Sequence, residues 1–251
     1  MILFFSATGN CKYVAKRIAE TTNDRIVDIT EGMKEDNYRV ELSENESLGI
    51  ISPTYSWELP SIVRDFLKNV EIKTKEKHYI YFIGTFGTTP GAVGAEARKY
   101  MKEKGLDFDA LYSVQMPDTW TPIFDLSNKE KVARQNSKAE KQIEEILENI
   151  KSYKTGNHMK RRAPYAVRLI SDKAYDNMRR TSHFNVEDSC ISCGICEKKC
   201  PVDAIKIENG KPVWVKDMCV MCLGCLHRCP KFAIQYDNKT KNHGQYTHPK
   251  S

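Results

Sequence analysis

The sequence predicts an α/β chain: a parallel sheet of five strands covered by helices on both faces, followed by a small cysteine-rich module. Three observations carry this. Apolar runs of strand length alternate with amphipathic helical patterns over residues 1–150. The 251 residues, 40% hydrophobic, suffice for one good core plus a small second unit. Eight of the nine cysteines fall within residues 190–229.

The first strand is the apolar run 2–5, and residues 12–20 follow as a helix with Val14 and Ile18 on one face. Residues 26–29, 48–52, 79–84 and 111–116 are the other strand-length runs. Between them, "ELPSIVRDFLKNV" places Pro60 where a first helical turn tolerates it, and residues 91–103 form another helical pattern. The last helix of this half starts at Ser127, with Glu130 three residues on as a capping box. Val132, Ala139, Ile143, Ile146, Leu147 and Ile150 continue it at helical spacing. Buried strands alternating with helices imply a parallel sheet covered on both sides. Ligands in such sheets sit beyond the carboxyl ends of the strands. The loops of interest are therefore 6–11, 53–59, 85–91 and 117–121.

The loop "FFSATGNC" runs from an apolar strand into a helix. It lacks the lysine of G-x-x-x-x-G-K-[ST] and all but one glycine of G-x-G-x-x-G, which argues against a nucleoside triphosphate or a dinucleotide. Ser6, Thr8 and Asn10 offer hydroxyls and an amide beside Gly9, with main-chain N–H groups at a helix N-terminus. That chemistry suits a terminal phosphate held by neutral donors.

Composition narrows the setting. Mean hydropathy is −0.56, and no apolar run approaches the roughly 18 residues of a membrane span. The start of the chain has neither a basic n-region nor a cleavage site and reads as a core strand, so the cytosol is the expected compartment. The net charge of +6 is uneven: residues 151–185 hold nine Lys or Arg against two Asp, so the remainder sums to −1. This basic stretch, 151–184 in the expected domain division, is a connector. Ala163, Ala166, Val167, Ile170, Ala174 and Met178 suggest one amphipathic helix after Pro164. Its surplus fits a solvated helix face, a docking surface for an acidic partner or a clamp between two modules. Aromatic residues are not interleaved as single-strand nucleic-acid binders require, so nucleic acid is not expected. Residues 237–251 are polar and are expected to be a disordered tail, with His243 and His248 solvated.

Residues 185–236 contain an internal repeat. "DSCISCGICEKKCPVDAIKI" and "DMCVMCLGCLHRCPKFAIQY" align without gaps at an offset of 29 residues. Each is C-x2-C-x2-C-x3-C-P, pairing Cys190, Cys193, Cys196 and Cys200 with Cys219, Cys222, Cys225 and Cys229. Three closely spaced thiolates wrap one corner of a cubane, and a fourth followed by proline points elsewhere. Structural zinc sites use separated Cys pairs or Cys with His, which two runs of four in register do not match.

This module resembles a bacterial two-cluster ferredoxin, and the resemblance implies a small α+β domain with two [4Fe-4S] clusters. It assigns Cys190, Cys193, Cys196 and Cys229 to one, and Cys219, Cys222, Cys225 and Cys200 to the other. The opening loop resembles the flavodoxin phosphate loop, written Ser/Thr-x-Thr-Gly-Asn-Thr: Ser6, Thr8, Gly9 and Asn10 match, and Cys11 stands for the usual hydroxyl residue. "PTYSWELP" puts Pro53, Thr54, Tyr55 and Trp57 where flavodoxins place an aromatic over the isoalloxazine. "GTFGTTPG" puts Thr85, Phe86 and Gly87 where they line the flavin with backbone groups. Trp120 is a weaker candidate for closing the site.

The whole chain is thus similar to the flavodoxin–ferredoxin fusions called EFR-type ferredoxins. The resemblance implies FMN and two [4Fe-4S] clusters in an anaerobic cytosolic protein. Single electrons would pass between flavin, clusters and a redox partner protein, with Lys198, Lys199, His227 and Arg228 near the clusters in sequence. The alternative is a flavin-dependent reductase of a small molecule with the clusters as electron entry. Glu58 is the carboxylate nearest the expected flavin and is expected to be solvated.

Overall fold

Neighbouring residues of β1 (Ile2–Phe4) serve different cores: Ile2 and Phe4 pack on one face of the sheet, Leu3 and Phe5 on the other. This period of two is what makes a continuous apolar run a strand buried on both sides. The computed structural model describes every residue except 35–37, 75–76 and 161–167, and the side chains of 168–172.

The central sheet is parallel. It contains β1, β2 (Ile26–Asp28), β4 (Leu48–Pro53), β6 (Ile80–Phe86), β7 (Ala110–Gln115) and β8 (Gly156–Asn157), in the order β2-β1-β4-β6-β7-β8. The small strands β3 (Arg39–Glu41) and β5 (Glu71–Lys73) pair beside it. The sheet thus has six strands where five were expected. The sixth, β8, is two exposed residues carrying no apolar side chain, so no hydrophobic run announces it.

Helices α1 (Asn10–Thr22) and α5 (Lys129–Lys151) cover one face through Val14, Ile18, Ile143 and Leu147. Helices α3 (Ser61–Asn69) and α4 (Val93–Lys102) cover the other through Ile62, Phe66, Ala97 and Met101. A short α2 (Ile29–Lys34) follows β2. The cap of α5 is Asn128, one residue later than expected: its side chain accepts from the Lys131 N–H at 2.9 Å. An amide oxygen at the N-cap satisfies a donor that the helix leaves unpaired.

The chain turns back from β1 to opposite sides of the sheet at β2 and β4, and the loops after β1, β4, β6 and β7 converge above this switch point. The cysteine module docks on those loops. It comprises β9 (Phe184–Val186), α7 (Ile195–Lys198), β10 (Ile205–Glu208), β11 (Lys211–Trp214), α8 (Gly224–His227) and β12 (Ile234–Tyr236). Its strands form two antiparallel pairs, β10 with β11 and β12 with β9.

Helix α6 (Arg168–Met178) joins the halves. Of the connector positions named from sequence, Ala163, Pro164, Ala166 and Val167 lie outside the described residues, as does the Ile170 side chain. Tyr175 of α6 is 1% exposed and packs with Met221, Leu223, Leu226, Ile234 and Tyr236 of the cysteine module, with Tyr55 and Trp120 against them. Fully burying a side chain of this kind contributes on the order of 1.5–3 kcal/mol, so the modules meet through a core and not a polar rim.

Residues 237–251 correct a second expectation. Thr240, Tyr246 and His248 are buried, at 0%, 5% and 4% exposure, so this segment is packed and not a disordered tail. Tyr246 shares a small cluster with Leu126 and Val132, and the His243 ring donates to the Thr121 carbonyl at 2.6 Å. A polar composition concealed these contacts because they form only against another domain.

Candidate functional site

A cavity of about 350 Å³ lies above the switch point. Of the residues expected to hold a flavin, Ser6, Thr8, Asn10, Cys11, Pro53, Thr54, Tyr55, Trp57, Thr85, Phe86 and Gly87 all line it. Gly9 does not; it sits in the loop between Thr8 and Asn10 at φ +96°, a left-handed conformation that glycine adopts without a Cβ clash. Trp120 lines the cavity too. Tyr55 is half-buried, its ring edge-on to Phe5 at 6.5 Å, while Trp57 stands 48% exposed at the rim.

The loop after β1 is built to take an anion. The main-chain N–H groups of Ser6, Ala7, Thr8, Gly9 and Asn10 have no acceptor among the described residues. They stand at the N-terminus of α1, where unpaired N–H groups and the helix dipole favour negative charge. The Thr54 hydroxyl is buried against the cavity without a partner, and buried hydroxyls rarely stay so. Gly87 lies so near Asp118 that an added Cβ would come within 2.1 Å of the carboxylate. These features fit a flat, phosphate-bearing cofactor.

Cys11 is 1% exposed, and its Sγ lies 3.2 Å from Thr85 Oγ1. Burial pushes its thiol up to about 12, against a smaller lowering by Thr85. It stays protonated at neutral pH and serves as a weak donor or acceptor.

Sequence reasoning missed several walls of this cavity. Asp118 is its only carboxylate among the described lining residues, and burial raises its pKa although the Trp120 N–H donates to it at 3.0 Å. Met221, Cys222 and Leu223 come from the second cysteine run, and Tyr175 and Met178 from α6. The loop 117–121 pointed towards Asp118; no local signal pointed to the others. Glu58 is corrected. It is fully buried, 3.2 Å from the Arg64 guanidinium, and Glu96 accepts from the Leu59 N–H at 2.8 Å beside it. Burial of a carboxylate requires such a partner.

The cysteines surround two further small cavities. One is lined by Cys200, Cys219, Cys222 and Cys225, the other by Cys190, Cys193, Cys196 and Cys229. Each therefore takes three thiols from one run and the fourth from the other. Among the described residues no three His, Cys, Asp or Glu side chains are grouped to ligate a single ion; the thiols stand around an intervening space. Burial pushes Cys219 up to about 11 and Cys222 up to about 12, and Cys225 well up. Such thiols ionise only if a cation replaces the lost water. The N–H groups of Ala204 and Met221 already donate to Cys200 and Cys219 Sγ, both at 3.2 Å. His227 is 4% exposed and bridges the modules: its Nε2–H donates to the Thr119 carbonyl at 2.9 Å.

Cys222 lines both the first thiol cavity and the large cavity above the sheet. The other thiol cavity reaches the surface, where Cys193 is exposed and Ile191 and Ile195 are 55% and 37% exposed.

Comparison with known families matches a flavodoxin domain to residues 1–145 and a 4Fe-4S dicluster domain to residues 189–234. No curated protein matches the chain. Among solved structures, a rubredoxin oxygen:oxidoreductase from Desulfovibrio gigas is similar at 14% identity over 58% of this chain and 36% of its own, with a TM-score of 0.35. This chain thus spans about a third of that protein. A putative flavoprotein from Bacteroides uniformis is 16% identical over 47% of this chain and 90% of its own, with a TM-score of 0.34. A flavodoxin from Pseudomonas aeruginosa, in a variant with one cysteine changed to serine, is 15% identical over 60% and 97%, with a TM-score of 0.32.

Proposed function

Because this chain belongs to the flavodoxin domain family and carries a 4Fe-4S dicluster domain after it, we propose that it relays single electrons between an FMN, two [4Fe-4S] clusters and a redox partner protein. The observation that supports this most is the position of Cys222, on the wall shared by the cavity above the sheet and the first thiol cavity. A thiolate there would place cluster and flavin on either side of one side chain.

Bound FMN supplies two-electron capacity that can be drawn singly, and each cluster carries one electron. The chain's own residues do the rest. Unpaired N–H groups of Ser6 to Asn10, with the hydroxyls of Ser6 and Thr8, would hold the phosphate. Tyr55, Trp57 and Trp120 would flank the ring system, and Thr85 to Gly87 would meet its edge through the main chain. Met221 and Leu223, buried on the cavity wall beside Cys222, would exclude water between the flavin and the near cluster. Cys200, Cys219, Cys222 and Cys225 would ligate that cluster. Cys190, Cys193, Cys196 and Cys229 would ligate the far one, whose exposed rim at Ile191 and Ile195 faces a partner.

One observation favours the second reading, a reductase of a small molecule. Asp118 is a partly buried carboxyl in the flavin cavity whose pKa burial raises, which places an acid–base group beside the expected ring.

The test is an anaerobic one. Iron and sulfide are counted, the released flavin is identified, and the clusters are reduced chemically while flavin absorbance is followed. Eight irons, FMN and flavin reduction by way of the clusters are expected. Zinc, about two irons per chain, or FAD in place of FMN would overturn the reading. Asp118→Asn separates the two forms: unchanged delivery to a protein acceptor supports the carrier, and loss of small-molecule turnover supports the reductase.

A further inference from the structure

Residues 245–251 lie on the loop that follows β1, at Gly9. An ideal Cβ on Gly9 would stand 2.4 Å from Ser251 Oγ and 3.1 Å from His248 Cβ, so the segment fills the side of the loop that glycine leaves bare. The main-chain N–H of His248 donates to the Thr8 carbonyl at 2.8 Å. The His248 ring stacks on Tyr13 of α1, with centroids 4.0 Å apart. Its Nε2 is buried without a partner, while Nδ1 accepts from the Lys250 N–H at 3.3 Å.

The Tyr246 hydroxyl lies 2.8 Å from Asn10 Oδ1 and 3.1 Å from Asn136 Oδ1. The other end of the segment grips the cysteine module. The Gln245 amide donates to the carbonyls of Leu226 and Cys229, at 2.6 and 2.7 Å, and the Tyr246 N–H donates to His227 Nδ1 at 3.2 Å.

Two consequences follow for an anion in the loop. A trans peptide points its carbonyl and its N–H opposite ways. With the Thr8 carbonyl held by His248, the Gly9 N–H is turned away from the segment. The Asn10 amide is also oriented. Tyr246 donates to Oδ1 and Nδ2 reaches the Pro117 carbonyl at 3.3 Å, so the amide's rotation is fixed and its second Nδ2–H stays available beside the cavity.

We propose that residues 245–251 complete the flavin phosphate site from the far end of the chain, with Tyr246 as the positioning residue for Asn10 and His248 for the Thr8 carbonyl, so that phosphate recognition depends on docking of the cysteine module. This rests on the cavity being a flavin site. Neither side chain lines the cavity; both act through the loop.

FMN and riboflavin differ only in the phosphate, so their affinity ratio reads this role directly. The full chain, a chain ending at Gly244, and Tyr246→Phe are titrated with both flavins, with cluster content as the folding control. The full chain prefers FMN. Tyr246→Phe lowers that preference about fivefold, the effect of one hydrogen bond, and leaves riboflavin affinity unchanged. Removal of 245–251 lowers it about tenfold or more, through the lost Tyr246 and His248 contacts together. An unchanged ratio in both variants overturns the proposal, as does an equal fall for both flavins, which marks a purely structural segment. If the full chain binds neither flavin, the flavin reading itself fails, and that outcome is distinct because it appears before any substitution.

Discussion

The hydroxyl of Tyr175 donates to the main-chain carbonyl of Val220 at 2.9 Å and accepts from the Ser61 N–H at 3.3 Å. One side chain from the connector thus ties the start of α3 in the sheet domain to the second cysteine run. The guanidinium carbons of Arg64 and Arg179 each lie 5.6 Å from the centroid of its ring. Cations over an aromatic face are attracted by its quadrupole.

Tyr175→Phe removes both polar contacts and leaves a buried carbonyl at Val220 without its donor. The expected loss is about 1–3 kcal/mol, the penalty of an unsatisfied buried group. In a chain of this size that lowers the melting temperature by roughly 2–4 °C per kcal/mol. Limited proteolysis checks the location: cleavage should rise between the modules and not within the sheet domain. An unchanged protection pattern would show that Tyr175 does not hold the modules together.

Thr8→Ala tests the phosphate loop itself. Thr8 is 6% exposed and lines the cavity. Loss of one hydrogen bond to a charged phosphate should weaken FMN binding by about 1 kcal/mol or somewhat more. Fluorescence titration measures it, and riboflavin binding should not change. Equal weakening of both flavins would place Thr8 in the loop's packing only.

Much of this site was legible because its signals are local. The phosphate loop occupies six consecutive residues, 6–11, and each cysteine run is a fixed spacing on one stretch of chain. What was not legible depends on docking. Met221 and Leu223 read as spacers between cysteines until the module meets the sheet domain and they become a cavity wall. Glu58 reads as solvated because Arg64 lies on the next helix and Glu96 far along the chain. Residues 237–251 are polar, and the partners of Tyr246 and His243, namely Asn10, Thr121 and Asn136, are 110 to 236 residues away. Strand β8 adds only two main-chain pairings to β7, with no side-chain pattern to betray it.

Cys11 should be inert to alkylation. With its pKa raised to about 12 by burial, on the order of one thiol in 10⁴ is ionised at pH 8. The folded pKa lies above the ordinary thiol value of 9.0, so neutral Cys11 contributes stability fully below pH 9. That contribution is lost as pH rises from there towards about 12, because the unfolded thiol ionises first. Mass spectrometry after iodoacetamide at pH 8 should find Cys11 unlabelled in the native protein and labelled in urea. Equal labelling rates in the two states would contradict this.

Cys200→Ser tests the exchange of ligands between runs. Cys200 stands with the thiols of the second run although it belongs to the first. On the proposed ligand assignment, its replacement should remove the cluster expected beside the flavin, lowering iron from about eight atoms to about four, and should slow reduction of the flavin by the remaining cluster. Cys190→Ser should lower iron similarly, yet leave the cluster nearest the flavin in contact with it. If Cys200→Ser instead leaves flavin reduction intact and abolishes only the outer site, each run holds its own cluster.

The basic connector separates into an inner and an outer part. Arg179 is an inner residue: its Nε donates to the Cys219 carbonyl at 2.7 Å, its guanidinium meets Asp176 at 3.1 Å, and its side chain is 22% exposed. Interactions of this kind are screened little by salt, whereas attraction to a partner across solvent weakens as the screening length falls from roughly 30 Å at 0.01 M to 10 Å at 0.1 M. Arg179→Gln should therefore slow electron exchange between the modules at every ionic strength, because it loosens the main chain of Cys219, a proposed cluster ligand. Its effect should have the same size in 0.01 M and 0.1 M salt. Arg180 is exposed and belongs to the outer part; Arg161 and Arg162, which lie outside the described residues, are changed to Gln together with it. If they steer an acidic partner, they lower the rate of exchange with it at low salt, flatten its salt dependence, and leave exchange between the modules untouched. The measurement is flavin reduction by a reduced partner across salt, beside flavin reduction by the clusters alone. Should Arg179→Gln change neither rate, the contact with Cys219 is incidental. Should the triple variant change neither the partner rate nor its salt dependence, these three charges steer no partner.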